Sequence, residues 1–299
     1  MKAEEAILKM RAPRNMHIIC LDITNKCDLA CSNCTRLLEN QDTFWDMTPK
    51  NFRLALQSLK DFHGIIAMIG GNPCMHPKFK ELCQIFVEEI PNKMQRGLWT
   101  NNFFKHRELC EETFGTFNLN SHGIPRAEDK LVEMHKSVSA RGALSWIYTG
   151  TSDHSPILTA VKDLYPEEEM WERITKCDIN REWSASITQN QGKLRAYFCE
   201  VAAAFDLSRG TDNGHEVTPG WWKRHIQDYA EQIRHFCPGC GVPAKEKANK
   251  DIENVDTYTD SNRDLAEKSA KGGRAIVYLN PAAKKPEEKR VTLYNTISA

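Results

Sequence analysis

Three cysteines lie close together near the N-terminus, in the stretch "TNKCDLACSNCTR" at residues 24–36. They are Cys27, Cys31 and Cys34, spaced Cx3Cx2C, and cysteine thiolates are the usual ligands of iron–sulfur clusters. A cubane cluster has four irons, so three protein ligands leave one iron open to another molecule. The alternative is a zinc site that takes its fourth ligand from elsewhere, such as His76 or Cys74.

A second set of four cysteines follows in the C-terminal half of the chain, at Cys177, Cys199, Cys237 and Cys240. Four thiolates complete the ligand set of either a tetrahedral zinc ion or a second [4Fe–4S] cluster, and the sequence does not separate the two. The remaining cysteines are expected to be small buried hydrophobic residues: Cys20, Cys74, Cys83 and Cys110.

Two tryptophans stand beside two basic residues at Trp221, Trp222, Lys223 and Arg224, and two interpretations are open. The rings and charges suit stacking on a planar anionic substrate. The same residues are equally consistent with a structural role, in which one tryptophan packs over the second cysteine set and the basic pair faces water. Another group of polar residues lies near predicted strand ends, where each makes either a structural hydrogen bond or a ligand contact: Asp22, Thr24, Asn101, Asn118 and His122.

The elements that must position these groups are short apolar segments closed by turn residues. A predicted helix between the first two strands has Thr48 as its N-cap and Pro49 at its first position. Strand and helix alternate, which predicts an α/β fold with a parallel sheet whose loops after the strands carry the chemistry. The cysteine triplet comes directly after the first strand. The five predicted strands cover residues 17–24, 64–71, 95–102, 115–123 and 143–150.

Composition narrows the class of protein further. Lysine plus arginine number 40 and aspartate plus glutamate number 40, so no global field attracts nucleic acid or an anionic membrane. No apolar run reaches the length of a membrane span, and the N-terminus lacks the apolar core of a signal peptide. Eleven cysteines in such a chain indicate metal binding or catalysis in a reducing compartment, so we expect a soluble cytoplasmic protein without a membrane partner.

Taken together, these motifs resemble the radical S-adenosylmethionine (radical SAM) enzymes, which carry a Cx3Cx2C loop after the first strand. The segment "GGNPCMHPKF" at 70–79 resembles the family's GGEP segment, and "LWTNN" at 98–102 and "NLNSHG" at 118–123 resemble its third and fourth strand ends. The resemblance covers roughly residues 14–160. It implies a partial (β/α) barrel with a [4Fe–4S] cluster on Cys27, Cys31 and Cys34. It also implies contacts to SAM from Gly70, Gly71, Asn72, Thr100, Asn101 and Asn120.

Two positions depart from the family pattern. The glutamate of GGEP is Asn72 here, which keeps a hydrogen-bond acceptor and loses the charge. The position before the third cysteine is often aromatic in the family and is Asn33 here. Both changes bear on how the cofactor is contacted, and neither removes a cluster ligand.

The second cysteine set resembles the auxiliary-cluster extensions called SPASM and Twitch domains. The spacing Cys177-x14-Gly192-x6-Cys199 is similar to their opening, and the Cx2C pair of Cys237 and Cys240 completes four ligands. Four cysteines suit the shorter Twitch form with one cluster, and the resemblance favours a second [4Fe–4S] cluster over zinc.

The expected organisation has three parts: a radical SAM core at residues 1–170, an auxiliary-cluster domain at 171–245 and a charged C-terminal segment at 246–299 with two late strands. Residues 244–273 contain almost no large apolar side chains, so we expect a solvated helix or a mobile segment there.

The resemblance implies an enzyme that reductively cleaves SAM and abstracts a hydrogen atom from a substrate, with a flavodoxin or ferredoxin as electron donor. The N-terminal region is too short for a peptide-binding leader domain, so we expect a small-molecule or nucleotide-type substrate, with a modified nucleobase as the preferred guess. Isomerisation, decarboxylation and dehydrogenation remain open as outcomes. The alternatives are a peptide-modifying radical SAM maturase and, from another class, a structural zinc or scaffold protein.

Overall fold

The computed structural model describes residues 1–150, 154–282 and 290–293. The helices are α1 (Ala3–Lys9), α2 (Pro49–Ser58), α3 (Phe79–Glu89), α4 (Arg107–Thr113), α5 (Pro125–Ala140), α6 (Val161–Leu164), α7 (Glu167–Thr175), α8 (Asp178–Glu182), α9 (Glu200–Arg209), α10 (Ala230–Phe236) and α11 (Arg263–Lys271). The strands are β1 (Ile18–Asp22), β2 (Ile65–Ile69), β3 (Arg96–Thr100), β4 (Thr116–Asn120), β5 (Leu144–Tyr148), β6 (Ser184–Asn190), β7 (Lys193–Tyr197), β8 (His215–Glu216), β9 (Val255–Tyr258), β10 (Ala275–Leu279) and β11 (Arg290–Leu293).

Eight strands form one sheet in the order β5-β4-β3-β2-β1-β6-β7-β8. Strands β1 to β5 run parallel to their neighbours, and β6 is parallel to β1. Strands β7 and β8 extend this sheet by antiparallel pairing. The predicted α/β class with a parallel sheet is therefore confirmed, and the ends of β1 to β4 that should carry the chemistry lie at one edge.

The local signals in the first half of the chain explain these elements. Each of the five predicted segments contains one observed strand, from β1 to β5. Helix α2 begins as predicted, because Pro49 occupies its first turn and Thr48 Oγ1 accepts a hydrogen bond from the Asn51 backbone N–H at 3.1 Å. Helices α2 and α3 pack together through Phe52 and Phe86, whose rings meet edge-on at 5.7 Å.

The C-terminal segment is folded and partly buried, so the expectation of a solvated or mobile segment over residues 244–273 is wrong. Helix α11 buries Leu265, Ala266 and Ala270, and β9 joins a second sheet in the order β11-β10-β9. The buried face of α11 consists of one leucine and small residues, which is why composition did not reveal it. Both predicted late strands are observed, as β10 and β11.

The predicted division at residue 170 does not coincide with a break in the main sheet, because β6 pairs directly with β1. The domain bounds stay a prediction. In the described part of the chain, no helix combines the length and apolar character that crossing a membrane requires.

Candidate functional site

The carboxyl ends of β1 to β4 open onto one large cavity, called the main cavity below. Its volume is about 380 Å³, which lies in the range of sites that bind small molecules and cofactors. The loop after β1, the ends of β2 to β4, the start of α9 and the C-terminal segment all contribute side chains to its wall.

Cys27, Cys31 and Cys34 all line the main cavity. Burial raises the pKa of Cys27 to about 12, and it also raises the pKa of Cys31. A negative charge on Cys34 would raise both pKa values further. Such thiols keep their protons when free and lose them when a metal binds. The structure therefore brings the predicted triplet together at the wall of a cavity.

The loop that carries the triplet is held by the C-terminal segment. The Ser32 N–H donates to the Asp251 carbonyl at 2.9 Å, and the Val255 N–H donates to Ser32 Oγ at 2.8 Å. Arg274 donates from its guanidinium to the Cys31 carbonyl and forms an ion pair with Asp256 at 3.0 Å, with Asp256 buried. Asp251, Val255 and Asp256, which the sequence placed in a solvated segment, thus fix the shape of the cysteine loop together with Arg274.

The contact between the cysteine loop and the C-terminal segment also explains why an asparagine occupies position 33. Its backbone lies in the left-handed region at φ 51°, which asparagine tolerates better than most residues. Its N–H donates to Asp256 Oδ1 at 2.8 Å, and its side-chain Oδ1 accepts from the Thr257 N–H at 3.1 Å. An aromatic side chain at this position could not make the second of these bonds.

The paired glycines allow the loop after β2 to lie against the cysteine loop. A Cβ on Gly70 would stand 2.2 Å from the Thr24 carbonyl oxygen, and one on Gly71 would stand 2.1 Å from that of Lys26. The Gly71 and Asn72 N–H groups donate to these same two carbonyls at 2.8 and 2.7 Å. Both glycines line the main cavity, and they are also required for this close approach.

Asn72 lies behind the cavity wall, while the other five predicted SAM contacts line it. Its Oδ1 accepts from Thr100 Oγ1 at 2.9 Å, and its Nδ2 donates to Asp28 Oδ1 at 3.1 Å. Asp28 also accepts from Asn101 at 3.2 Å. Burial alone would raise the pKa of Asp28, but the hydrogen bonds from Asn72, Asn101 and Asn102 outweigh it and lower the pKa. A carboxylate therefore stands beside position 72, supplied by the cysteine loop.

A buried ionic group, of which the sequence indicated only Asp22, joins the two cysteine sets. Arg36, two residues after Cys34, contacts Asp22 at 2.8 Å and Glu200 at 3.0 Å, and Glu200 directly follows Cys199. All three side chains are buried. Burial raises the pKa of Asp22 despite the nearby guanidinium, whereas for Glu200 the effect of Arg36 outweighs burial and lowers the pKa.

The structure also brings the four later cysteines together. Cys177, Cys199, Cys237 and Cys240 line one small cavity of about 20 Å³ whose other lining residues are mostly apolar. Burial raises the pKa of Cys199 to about 12 and raises that of Cys237, on which the other three cysteines act in the same direction. Two side chains, Ile179 and Val242, line both this cavity and the main cavity, so the two sites are neighbours.

The structure also bears on two further expectations from the sequence, which concern the paired tryptophans and the scattered cysteines. Trp221 and Trp222 are buried, and Trp222 packs against Phe62 with ring centres 5.3 Å apart. Neither tryptophan lines the main cavity, so the interpretation in which they stack on a substrate is wrong. A nucleobase substrate stays a prediction, without the support that these side chains were expected to give. Of the scattered cysteines, Cys20, Cys83 and Cys110 are buried as expected, and Cys74 is half-buried.

His122, His154 and Asp251 form a polar group on the wall of the main cavity. The Nδ1 atoms of both histidines lie 2.8 Å from the carboxylate of Asp251. The sequence indicated His122 by its place near a strand end. It gave no signal for His154 or Asp251, because both lie in segments without a strand or motif to place them.

No protein-family model matches the chain, and no curated protein matches it either. Among solved structures, BtrN in complex with AdoMet and 2-DOIA is similar at a TM-score of 0.50 and 15% identity, over 75% of this chain and 92% of BtrN. Streptococcus suis SuiB bound to S-adenosylmethionine matches at a TM-score of 0.37 and 14% identity, over 76% of this chain and 71% of SuiB. SuiB bound to the precursor peptide SuiA matches at 0.36 and 12%, over 76% of this chain and 70% of that one.

This chain shares the fold of BtrN, whose structure was determined with AdoMet bound. The predicted partial (β/α) barrel fold is therefore confirmed, with a cysteine triplet after β1 as in the motif that predicted it. At 15% identity the likeness establishes the fold and not the activity. The Twitch-like extension stays a prediction.

Proposed function

We propose that the protein is a radical SAM enzyme that holds a [4Fe–4S] cluster on Cys27, Cys31 and Cys34 and acts on a small molecule in the main cavity. The observation that carries this proposal is that three cysteines, and not four, line the wall of a cavity of about 380 Å³. Cys27, Cys31 and Cys34 would hold the cluster, which would supply the electron for reductive cleavage of SAM and so make hydrogen-atom abstraction from the substrate possible.

The residues around the triplet fit this cofactor pair. Gly70 and Gly71 bring the backbone of the β2 loop to the cavity wall, next to the loop that bears Cys27. Thr100, Asn101 and Asn120 offer neutral hydrogen-bonding groups at the ends of β3 and β4. We assign these five residues to the binding of SAM, and Asn72 to holding Asp28 and Thr100 behind them.

Other residues of the cavity exclude water from the reacting atoms. Leu29, Ile69, Trp99 and Trp183 give the wall an apolar part between its polar ends. A dry cavity protects a reactive radical from side reactions. The size of the main cavity and the small ligand named in the BtrN structure support a small-molecule substrate over a peptide.

The second cysteine set supports a second cluster better than a zinc ion. A tetrahedral zinc with Zn–S bonds of about 2.3 Å holds its sulfurs less than about 4 Å apart. Among the described residues, a single set of at least three His, Cys, Asp or Glu side chains has all its ligand atoms within 4.8 Å of one another. This set consists of Cys31, His122 and Asp251. The four later sulfurs are thus more widely spread than zinc requires. We propose a second [4Fe–4S] cluster there, and a flavodoxin or ferredoxin as the electron donor.

The direct test is cleavage of SAM by anaerobically reconstituted protein under dithionite, measured as 5′-deoxyadenosine. We expect cleavage by the wild type and none by single Cys27→Ala, Cys31→Ala or Cys34→Ala variants. The matched control is Cys83→Ala, which removes a buried thiol in α3 and leaves the cavity intact. Wild-type cleavage by any of the three triplet variants contradicts the assignment.

A further inference from the structure

The wall of the main cavity carries two imidazoles held by one carboxylate. Asp251 is 1% exposed, and its Oδ2 and Oδ1 lie 2.8 Å from the Nδ1 atoms of His122 and His154. The two ring centres are 5.5 Å apart with an angle of 31° between their planes. Both rings line the main cavity, so the group faces the interior of that cavity.

Backbone contacts fix the position of each ring. The His122 N–H donates to Asn120 Oδ1 at 2.8 Å, and its backbone is left-handed at φ 49°. The His154 N–H donates to Asp251 Oδ1 at 3.1 Å. Asp251 in turn is tied to the cysteine loop, because its carbonyl accepts from the Ser32 N–H at 2.9 Å. The pair is therefore a preorganised feature of the site.

The chemistry of these rings indicates what they bind. Asp251 engages the Nδ1 side of each imidazole, which leaves Nε2 on the opposite side of the ring. No residue in the described part of the chain forms a hydrogen bond with Nε2 of His122 or His154. A hydroxyl group suits such an atom in either protonation state, since it donates to a neutral Nε2 and accepts from a protonated one. When both rings are neutral, the carboxylate of Asp251 gives the group a net negative charge, which disfavours an anionic ligand.

We propose that His122 and His154 form a subsite for hydroxyl groups of a neutral polyhydroxylated ring, such as a sugar or a cyclitol, with Asp251 as their positioning residue. The proposal rests on the proposed function and names its substrate class. Tyr148 and Ser155 add hydroxyl groups to the wall of the same cavity. Trp183, also on that wall, offers an apolar face to the C–H groups of such a ring.

The test measures binding of myo-inositol and D-glucose to anaerobic holoenzyme by calorimetry, in the presence of S-adenosylhomocysteine. We expect at least one of the two polyols to bind, and cyclohexanol to bind more weakly. Loss of a hydrogen bond should lower the affinity about tenfold in His122→Ala and in His154→Ala. His154→Gln, which keeps a hydrogen-bonding amide, should recover part of it. His135→Ala is the matched control, because His135 bonds Ser145 at 3.0 Å and does not line the cavity.

Four outcomes overturn the proposal. The first is that neither polyol binds, and the second is that the wild type and both alanine variants bind a polyol with equal affinity. The third is that the alanine variants lose tenfold in affinity for S-adenosylhomocysteine while their polyol affinity is unchanged. The fourth is that the wild type holds one zinc per chain, which is lost in His122→Ala. The last two would assign the rings to the cofactor or to a metal. Iron content and 5′-deoxyadenosine formation are measured on the same wild-type preparation. Polyol binding through His122 in a protein that holds no iron would reject the proposed function and keep this subsite.

Discussion

At the scale of single residues, two asparagines stand where the resembled family carries other side chains, and contacts within this chain explain both. Asn33 bonds Asp256 and Thr257, and Asn72 bonds Asp28 and Thr100. The sequence reveals such departures but not their partners, because Asn33 and its partners are separated by 223 and 224 residues.

Two substitutions of Asn33 separate the effect of its side-chain hydrogen bond on stability from the effect of its left-handed backbone. Asn33→Gly keeps the left-handed backbone and leaves the buried Thr257 N–H without its acceptor, which should lower the free energy of unfolding by about 1–3 kcal/mol. Asn33→Ala should cost roughly 1 kcal/mol more, because a Cβ without a local hydrogen bond is strained at this φ. Urea denaturation of the three proteins checks both values. If the alanine variant is as stable as the wild type, the contact does not hold the loop.

Replacing Asn72 with aspartate tests the carboxylate of Asp28. Two carboxylates would then meet where Asn72 Nδ2 now donates over 3.1 Å. The pair binds a proton more tightly in the folded state than in the unfolded chain, so the stability of Asn72→Asp relative to wild type should fall as the pH rises above about 4. At pH 7 the loss should be at least about 1.4 kcal/mol, the value of one pKa unit.

The pH series needs a control that adds the same charge elsewhere. Asn92→Asp places a carboxylate at an exposed cap, where the side chain accepts from the Met94 N–H at 3.0 Å and an aspartate can do the same. Its stability should follow the wild type across the series. An Asn72→Asp curve that coincides with the wild type at every pH would show that Asp28 is not held as described.

At the scale of elements, the sequence predicts most where local pattern and tertiary structure agree. Strands β1 to β5 are short apolar segments with turn residues at their ends, and each was predicted from that pattern. The burial of helix α11 and the existence of strand β9 escaped prediction because their buried side chains are mostly small or polar, such as Ala266, Asp256 and Thr257. Their burial comes from partners in the cysteine loop, far away in the sequence.

The C-terminal segment should therefore be needed for the cysteine loop. Arg274→Ala leaves Asp256 buried without its cation, and removing one partner of such a pair costs about 3–5 kcal/mol. We also expect less iron in this variant after reconstitution, because Arg274 donates to the Cys31 carbonyl. Denaturation and iron analysis measure the two effects.

The control is Arg234→Ala, which breaks an exposed ion pair with Glu4 at 3.4 Å. A pair of this kind contributes less than about 1 kcal/mol, and its loss should leave the iron content unchanged. Equal iron in Arg274→Ala and the wild type would mean that the loop keeps its shape without the Arg274 contact.

At the scale of the whole molecule, the two cysteine sets are neighbours in one structure. Arg36 and Glu200 join the loop after Cys34 to the helix after Cys199, and β6 pairs with β1 in the same sheet. The sequence predicted which cysteines form each set from their spacing. It could not place the two sets side by side, because neither the pairing of β6 with β1 nor the Arg36–Glu200 contact leaves a local pattern.

Two clusters predict an iron content of about eight per chain in anaerobic protein, by the stoichiometry of two cubanes. The variant that lacks Cys27, Cys31 and Cys34 should keep about half of this iron, since the four later cysteines form a site of their own. Iron and zinc analysis of both proteins gives the answer. About four irons and one zinc in the wild type would make the second site a structural zinc site.

The central claim is that the cysteine triplet holds a cluster with one iron open to SAM. Electron paramagnetic resonance of the dithionite-reduced protein, recorded before and after SAM is added, tests it most directly. The account predicts that the wild-type spectrum changes when SAM binds, and that the signal left in the variant without Cys27, Cys31 and Cys34 does not. A wild-type spectrum that is the same with and without SAM would contradict the claim.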